Sequence, residues 1–179
     1  MQTEIIISGF GGQGVLFAGQ LLAYTAMDEG LEVTWYPSYG PEMRGGTANC
    51  TVIISDEEIG APVVSRPSAC IVMNLPSLVK YEGEVKPGGL LIVDSSMIDR
   101  QVQREDITAV VLPGSQLAEE QGNKRMTNMV MLGALIAHLP IITLDAFERT
   151  LKEHLPERHM HLLEANLSAL AKGANYKAN

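Results

Sequence analysis

Cysteine is scarce in this sequence, with only Cys50 and Cys70 among 179 residues, both in apolar surroundings ("TANCTVII" and "SACIVMN"). Without a CxxC pair or a Cys-rich run, the chain alone offers no ligand set for an iron–sulfur cluster or a Cys-rich zinc site. The two thiols read as small core residues. Positive charge is also short: 13 Lys and Arg stand against 21 Asp and Glu, for a net charge of −8. Binding nucleic acid calls for clustered cations on one face, so no nucleic-acid partner is expected. No apolar run reaches the roughly 18 residues that cross a membrane. The start, "MQTEIIIS", lacks the basic flank and cleavage site of a secretory signal. A cytoplasmic protein with no membrane contact is expected.

What is present suits a globular fold. Hydrophobic residues make up 46% of the chain, enough for a sizeable core, and the length fits one domain over residues 1–179. A frayed tail is expected from Gly173 to Asn179. Short apolar runs alternate with longer helical patterns, which predicts an α/β class with an open, largely parallel sheet and helices on both faces, a Rossmann-like three-layer arrangement. Strands are predicted at 4–8, 31–36, 48–55, 69–73, 90–94 and 109–112. Runs such as "CIVM" and "LLIVD" suit strands covered on both sides. Helices are predicted at 14–28, 75–81, 115–120, 127–138, 144–154 and 157–171. Pro140 disfavours helix at the residue before it and so separates the fourth helix from the fifth. "SDEEIG" (55–60) reads as a hairpin-like acidic turn.

The densest local signal is "SGFGGQGVL", in which Gly9, Gly11, Gly12 and Gly14 lie between a strand and a helix. A strand, a glycine turn and a helix leave main-chain N–H groups unpaired at the helix N-terminus, where an anion is favoured. The pattern G-x-G-x-x-G is weak alone, and its placement strengthens it. A nicotinamide site would add an acid at the end of the second strand, about 20 residues on, to bond the ribose. Trp35 and Tyr36 stand there instead, and Glu32 lies at the wrong end of the strand. No Lys-Ser/Thr follows the glycines, so the turn is not a Walker A loop. A ligand carrying a pyrophosphate without nicotinamide remains, beside the bland alternative of a tight turn that holds nothing.

A second constellation, "YPSYGPEMRGGTANC" (36–50), should leave the same edge of the sheet. It combines Pro37, Gly40, Pro41, Gly45 and Gly46 with Arg44, whose guanidinium suits a phosphate or carboxylate. A surface arginine in a well-made turn is the alternative. Asn128 interrupts an apolar helix and needs polar partners there, as a cap, a ligand contact or an interface contact. Lys124 and Arg125 precede it, facing either the same anion or solvent. Met126, Met129 and Met131 read as packing or subunit-interface residues rather than a metal site. His159 and His161 have no carboxylate or Cys cluster beside them and read as a solvated helix face. Asp94, ending a strand, reads as a cap.

Taken together, "GFGGQGVLFAGQLLA", "YPSYGPEMRGGTANCTVIIS" and "NKRMTNMVMLGAL" resemble the gamma subunits of the 2-oxoacid:ferredoxin oxidoreductases, most closely the 2-oxoglutarate branch. The likeness runs from about Ile5 to Leu139. It implies a fold like domain III of pyruvate:ferredoxin oxidoreductase. It also implies a complex that converts a 2-oxo acid, coenzyme A and oxidised ferredoxin to acyl-CoA, carbon dioxide and reduced ferredoxin, with alpha and beta partner subunits and a delta subunit left open. Carried over by position, Phe10, Gly11, Gly12, Gln13 and Gly14 would lie against the phosphates of coenzyme A. Glu42, Met43 and Arg44 would form the neighbouring loop, and Asn128 would reach in from the later helix. Some relatives have lysines at the positions of Glu42 and Met43, which leaves Arg44 as the chief cation of that loop. The resemblance assigns thiamine diphosphate, magnesium and the iron–sulfur clusters to partner chains. In agreement, "GDG", the start of the family's thiamine-binding motif, is absent here. No catalytic residue and no metal ligand is assigned to this chain, which would be inactive alone. A purely structural subunit and a stand-alone nucleotide-dependent dehydrogenase are the alternatives.

Overall fold

The computed structural model describes residues 1–38, 47–139 and 141–177. Six strands form one sheet: β1 (Gln2–Phe10), β2 (Glu32–Ser38), β3 (Thr47–Ser55), β4 (Ala69–Val72), β5 (Leu90–Asp94) and β6 (Thr108–Leu112). Their order is β2-β3-β1-β4-β5-β6. Strands β1, β4, β5 and β6 run parallel, whereas β3 is antiparallel to both β1 and β2. Five strands therefore share a direction and β3 alone opposes it, which is the open, largely parallel α/β sheet the sequence pattern predicts. Because β4 pairs on the far side of β1, the acidic turn after Ser55 opens a crossover rather than a hairpin. Asp56 there meets the N-terminal ammonium.

The layers follow from side-chain alternation. Ile5 and Ile7 of β1, with Ala48, Cys50, Val52 and Ile54 of β3, face the larger core. That face is covered by α1 (Val15–Asp28) and α4 (Thr127–His138). Ile6, Val72, Leu91 and Val93 face a smaller core under α2 (Leu75–Tyr81). Outside α1 and α4 lie α3 (Gly114–Glu120), α5 (Leu144–His154) and α6 (Leu163–Ala174). Helix α4 is the centre of the larger core, with Thr127 to Ile136 all buried. Each fully buried Leu or Met there contributes about 1.5–3 kcal/mol relative to exposure. Met126, Met129 and Met131 are buried, as expected of packing residues. Leu139 leaves α4 in an extended conformation (φ −124°, ψ 94°), as a residue before proline favours; Pro140 itself lies outside the described residues.

Two expectations about the C-terminal third differ from the structure. The segment predicted as one helix from Glu157 divides into a 3₁₀ turn, Glu157–Leu162, and α6. Of the tail expected to fray, Gly173 and Ala174 still belong to α6, because Gly173 sits at the crossing with α4. A Cβ at Gly173 would run into the carbonyl oxygen of Val130, and one at Gly133 into that of Leu170. Glycine at both sites lets the two backbones touch. Beyond it, the Asn175 and Tyr176 N–H groups donate to Ala171 and Gly173 carbonyls at 3.0 and 3.2 Å.

The buried thiols give a pH prediction. Burial pushes the Cys50 thiol up to about 12 from 9.0, and burial with the nearby Glu84 charge pushes Cys70 further. Below pH 9 both thiols are protonated in folded and unfolded chains alike, and their contribution to stability is complete. Above pH 9 the unfolded chain loses these protons first, so stability falls by about 1.4 kcal/mol per pH unit for each thiol. Urea midpoints should therefore drop between pH 8 and pH 10.5, and less steeply in a Cys50→Ala/Cys70→Ala chain. Equal slopes for the two chains would refute this.

Candidate functional site

Strand β1 delivers Phe10 to the carboxyl edge of the sheet, and α1 begins five residues later at Val15. Between them Gly12 has φ 93° and Gly14 φ 75°, left-handed conformations that cost an L side chain about 1–2 kcal/mol. Gly14 has a second constraint, since an added Cβ would lie 2.5 Å from Asn128 Nδ2. Among the described residues no side chain caps α1, and its first turn carries no acid. The positive end of the helix dipole and its first N–H groups thus remain open. Among the described residues, the N–H groups of Gly11, Gly12 and Gly14 have no hydrogen-bond acceptor. Gly11 and Gly12 are exposed. Such an open main-chain turn at a helix N-terminus is the arrangement that favours an anion.

The polar side chains of the turn are already engaged. Gln13 Oε1 accepts from Phe10 N–H at 2.6 Å, and Gln13 Nε2 donates to the Met73 carbonyl at 3.2 Å. One amide thereby closes the turn and ties it to the end of β4. Asn128, 5% exposed, donates through Nδ2 to the Gly14 carbonyl at 3.1 Å and accepts from Met129 N–H at 3.0 Å. Its amide meets the polar requirement of a buried Asn and braces the helix start. Gln13 and Asn128 therefore shape the cradle, and the donors left for a ligand are main-chain groups. Phe10, before the turn, and Phe17, in the first turn of α1, each remain 37% exposed.

Register fixes where the second constellation leaves the sheet. Ser8 pairs with Asn49, which pairs with Ser38, and Phe10 pairs with Thr47. Residues 38 and 47 thus lie on the glycine turn's edge of the sheet, as the sequence suggested. Glu42, Met43 and Arg44 lie outside the described residues. Asp94 is fully buried and caps: its carboxylate accepts from Ser96 N–H, from Ser115 N–H at the start of α3, and from Ser115 Oγ at 2.6 Å.

The topology adds an argument against a nicotinamide site that the sequence did not contain. In a dinucleotide fold the second strand lies beside the first and its terminal acid reaches the ribose. Here β3 lies between β1 and β2, moving the end of β2 away by one further strand spacing of about 4.8 Å.

Below the turn, a cavity of about 590 Å³ opens from Gly14 and Asn128 along α1. Phe17, Gln20, Leu21 and Tyr24 form its α1 wall, and Arg125, His154, Arg158 and His159 supply its cationic or titratable groups. His154 Nε2 lies 3.0 Å from Asp28, and its ring stacks on Tyr24 with centroids 4.8 Å apart. The RHMH segment, read from sequence as a solvated helix face, is a 3₁₀ turn with His159 on this cavity. Its rings approach to 6.5 Å between centroids.

An open α/β domain with a bare glycine cradle at the first helix is the class that fold and site define. Residues 4–176 match the pyruvate ferredoxin/flavodoxin oxidoreductase family, and the chain belongs to it. It is 38% identical over 177 residues to ketoisovalerate oxidoreductase subunit VorA of Methanothermobacter marburgensis, covering 98% of this chain and 36% of that protein. It is 36% identical to 2-oxoglutarate synthase subunit KorC of the same organism, covering 97% of this chain and 99% of that protein. The chain thus spans about a third of the VorA relatives and nearly all of KorC. Among solved structures, a keto/oxoacid ferredoxin oxidoreductase gamma subunit from Geobacter sulfurreducens superposes with a TM-score of 0.82 at 30% identity, covering 96% and 95% of the two chains. The 2-oxoglutarate:ferredoxin oxidoreductase of Magnetococcus marinus, solved with 2-oxoglutarate, coenzyme A and succinyl-CoA bound, gives a TM-score of 0.86 at 26% identity, covering 99% of this chain and 32% of that one.

Proposed function

We propose that this chain is the gamma subunit of a 2-oxoglutarate:ferredoxin oxidoreductase and that it holds coenzyme A by its phosphates at the glycine turn. The observation that carries this reading is the set of N–H groups at Gly11, Gly12 and Gly14 that have no acceptor among the described residues, set on a helix end with no side-chain cap among those residues and no acid in its first turn. The family supplies the rest. A structural relative is known with coenzyme A bound, and KorC of Methanothermobacter marburgensis aligns with this chain almost end to end.

The division of labour follows from what the chain's residues can do. Cys50 and Cys70 sit in separate strands as free, buried thiols, so neither suits a cluster. Thiamine diphosphate, with magnesium, and the iron–sulfur clusters belong on alpha and beta subunits, which would oxidise the 2-oxo acid and pass electrons to ferredoxin. This chain's task is to fix the phosphates so that the thiol end of coenzyme A projects to the partner's reacting carbon. Positioning of that kind lowers a barrier by several kcal/mol. Gln13 and Asn128 serve by holding the cradle's shape, and Arg44 by adding charge beside it.

The test is calorimetry on the full chain and on the complex it co-purifies with. Coenzyme A should bind, and NADH and NADPH should bind no tighter than ADP. Absence of coenzyme A binding in both preparations would favour a scaffold, and strong preference for the reduced nicotinamide forms a dehydrogenase. The slightly higher identity to VorA relatives supports a second choice of oxo acid, ketoisovalerate. Comparing kcat/KM of the complex for 2-oxoglutarate and ketoisovalerate decides between them.

A further inference from the structure

We propose that the cavity along α1 receives the adenosine 3′-phosphate end of coenzyme A, with Arg125 and Arg158 as the groups that recognise the 3′-phosphate. This rests on the reading that the pyrophosphate lies at the glycine turn. The cavity begins at that turn, since Gly14 and Asn128 line both, and follows one face of α1 through Phe17, Leu21 and Tyr24. Ten residues of helix give it a length of about 15 Å. Its volume of about 590 Å³ lies within the range of sites that enclose a small ligand.

Its chemistry matches a phosphorylated nucleoside. Phe17, Leu21, Met126, Leu151, Leu155 and Leu162 make an apolar lining on which a base can pack. Among the described residues, no Asp or Glu lines the cavity, although acids outnumber Lys and Arg 21 to 13 in the chain. His154 is already paired with Asp28, its Nε2 3.0 Å from the carboxylate. Arg125 and Arg158 differ from Arg100, Arg104 and Arg149, which hold carboxylates of Glu82, Asp106 and Glu29: among the described residues neither guanidinium has an acidic partner. Two unpaired guanidinium groups on an apolar cavity are a receptor for a dianion. The orientation of the coenzyme then follows. The thiol has to leave this chain to meet a carbon held by a partner subunit, so the pantetheine arm points outward from the turn and the adenosine end stays on this chain.

Dephospho-coenzyme A, which lacks only the 3′-phosphate, separates this inference from the reading beneath it. Affinities for coenzyme A and dephospho-coenzyme A are measured on the full chain and on the co-purified complex, for the native protein and for Arg125→Gln/Arg158→Gln. Both arginines are exposed, and a matching melting temperature checks that the variant is folded. The native protein should bind coenzyme A about 10- to 100-fold tighter than dephospho-coenzyme A. The variant should bind the two alike, with its dephospho-coenzyme A affinity within about twofold of the native value. If coenzyme A binds but the preference is absent, or is unchanged in the variant, the cavity assignment fails and the turn reading stands. If neither compound binds either preparation, both fail.

Discussion

Gly14→Ala is expected to weaken coenzyme A binding on the order of 100-fold and to destabilise the fold by about 2–5 kcal/mol. Two costs combine. Alanine at φ 75° carries the left-handed penalty of about 1–2 kcal/mol, and its Cβ would stand 2.5 Å from Asn128 Nδ2, an overpacking cost of about 1–3 kcal/mol. Relief requires the turn to rotate, which turns its N–H groups away from a common anion. Losing two charge-assisted hydrogen bonds accounts for the drop in affinity. The two costs are separable. In a Gly14→Ala/Asn128→Ala chain the contact is gone and the dihedral penalty remains, so the double variant should be more stable than the sum of the single changes by about 1–2 kcal/mol. Additive stabilities would show that the Asn128 contact does not constrain Gly14.

The second large effect lies at the crossing of α4 and α6. Gly173→Ala would place a Cβ against the Val130 carbonyl oxygen, and backbone, unlike a side-chain tip, cannot swing aside. Helices α4 and α6 would have to separate, at about 3 kcal/mol, which for a chain of this size lowers Tm by roughly 6–12 °C. Gly60→Ala, at a site with no heavy atom within 4 Å of the added Cβ, is the control and should shift Tm little. Thermal unfolding followed by circular dichroism reads both, and equal shifts would remove the close crossing from the account. Because α4 also carries Asn128, loosening it at Gly173 should weaken coenzyme A binding too, though less than Gly14→Ala does.

The elements with strong local periodicity were legible from sequence. Helices α4 and α5 fall at 127–138 and 144–154 as expected, since the long apolar run of α4 and the spaced apolar residues of α5 are local features. The glycine turn was legible for the same reason. Long-range facts were not. Nothing in residues 47–55 announces that β3 inserts antiparallel between β1 and β2, because strand neighbours are chosen by packing rather than by propensity. The amides of Gln13 and Asn128 look like ligand donors in one dimension. Only the fold shows them committed to Phe10, Met73 and Gly14. Arg158 gave no signal, since the cavity it lines is assembled from segments more than a hundred residues apart. The end of α6, predicted at residue 171, lies at Ala174 for a similar reason: Gly173 looks like a helix breaker until Val130 is seen against it.

A crystal structure with coenzyme A, of the full chain or its complex, tests the central claim most directly. Pyrophosphate oxygens are expected about 2.7–3.2 Å from the main-chain nitrogens of Gly11, Gly12 and Gly14. Coenzyme A bound elsewhere, with those nitrogens satisfied by a partner's side chain or left facing water, would contradict it.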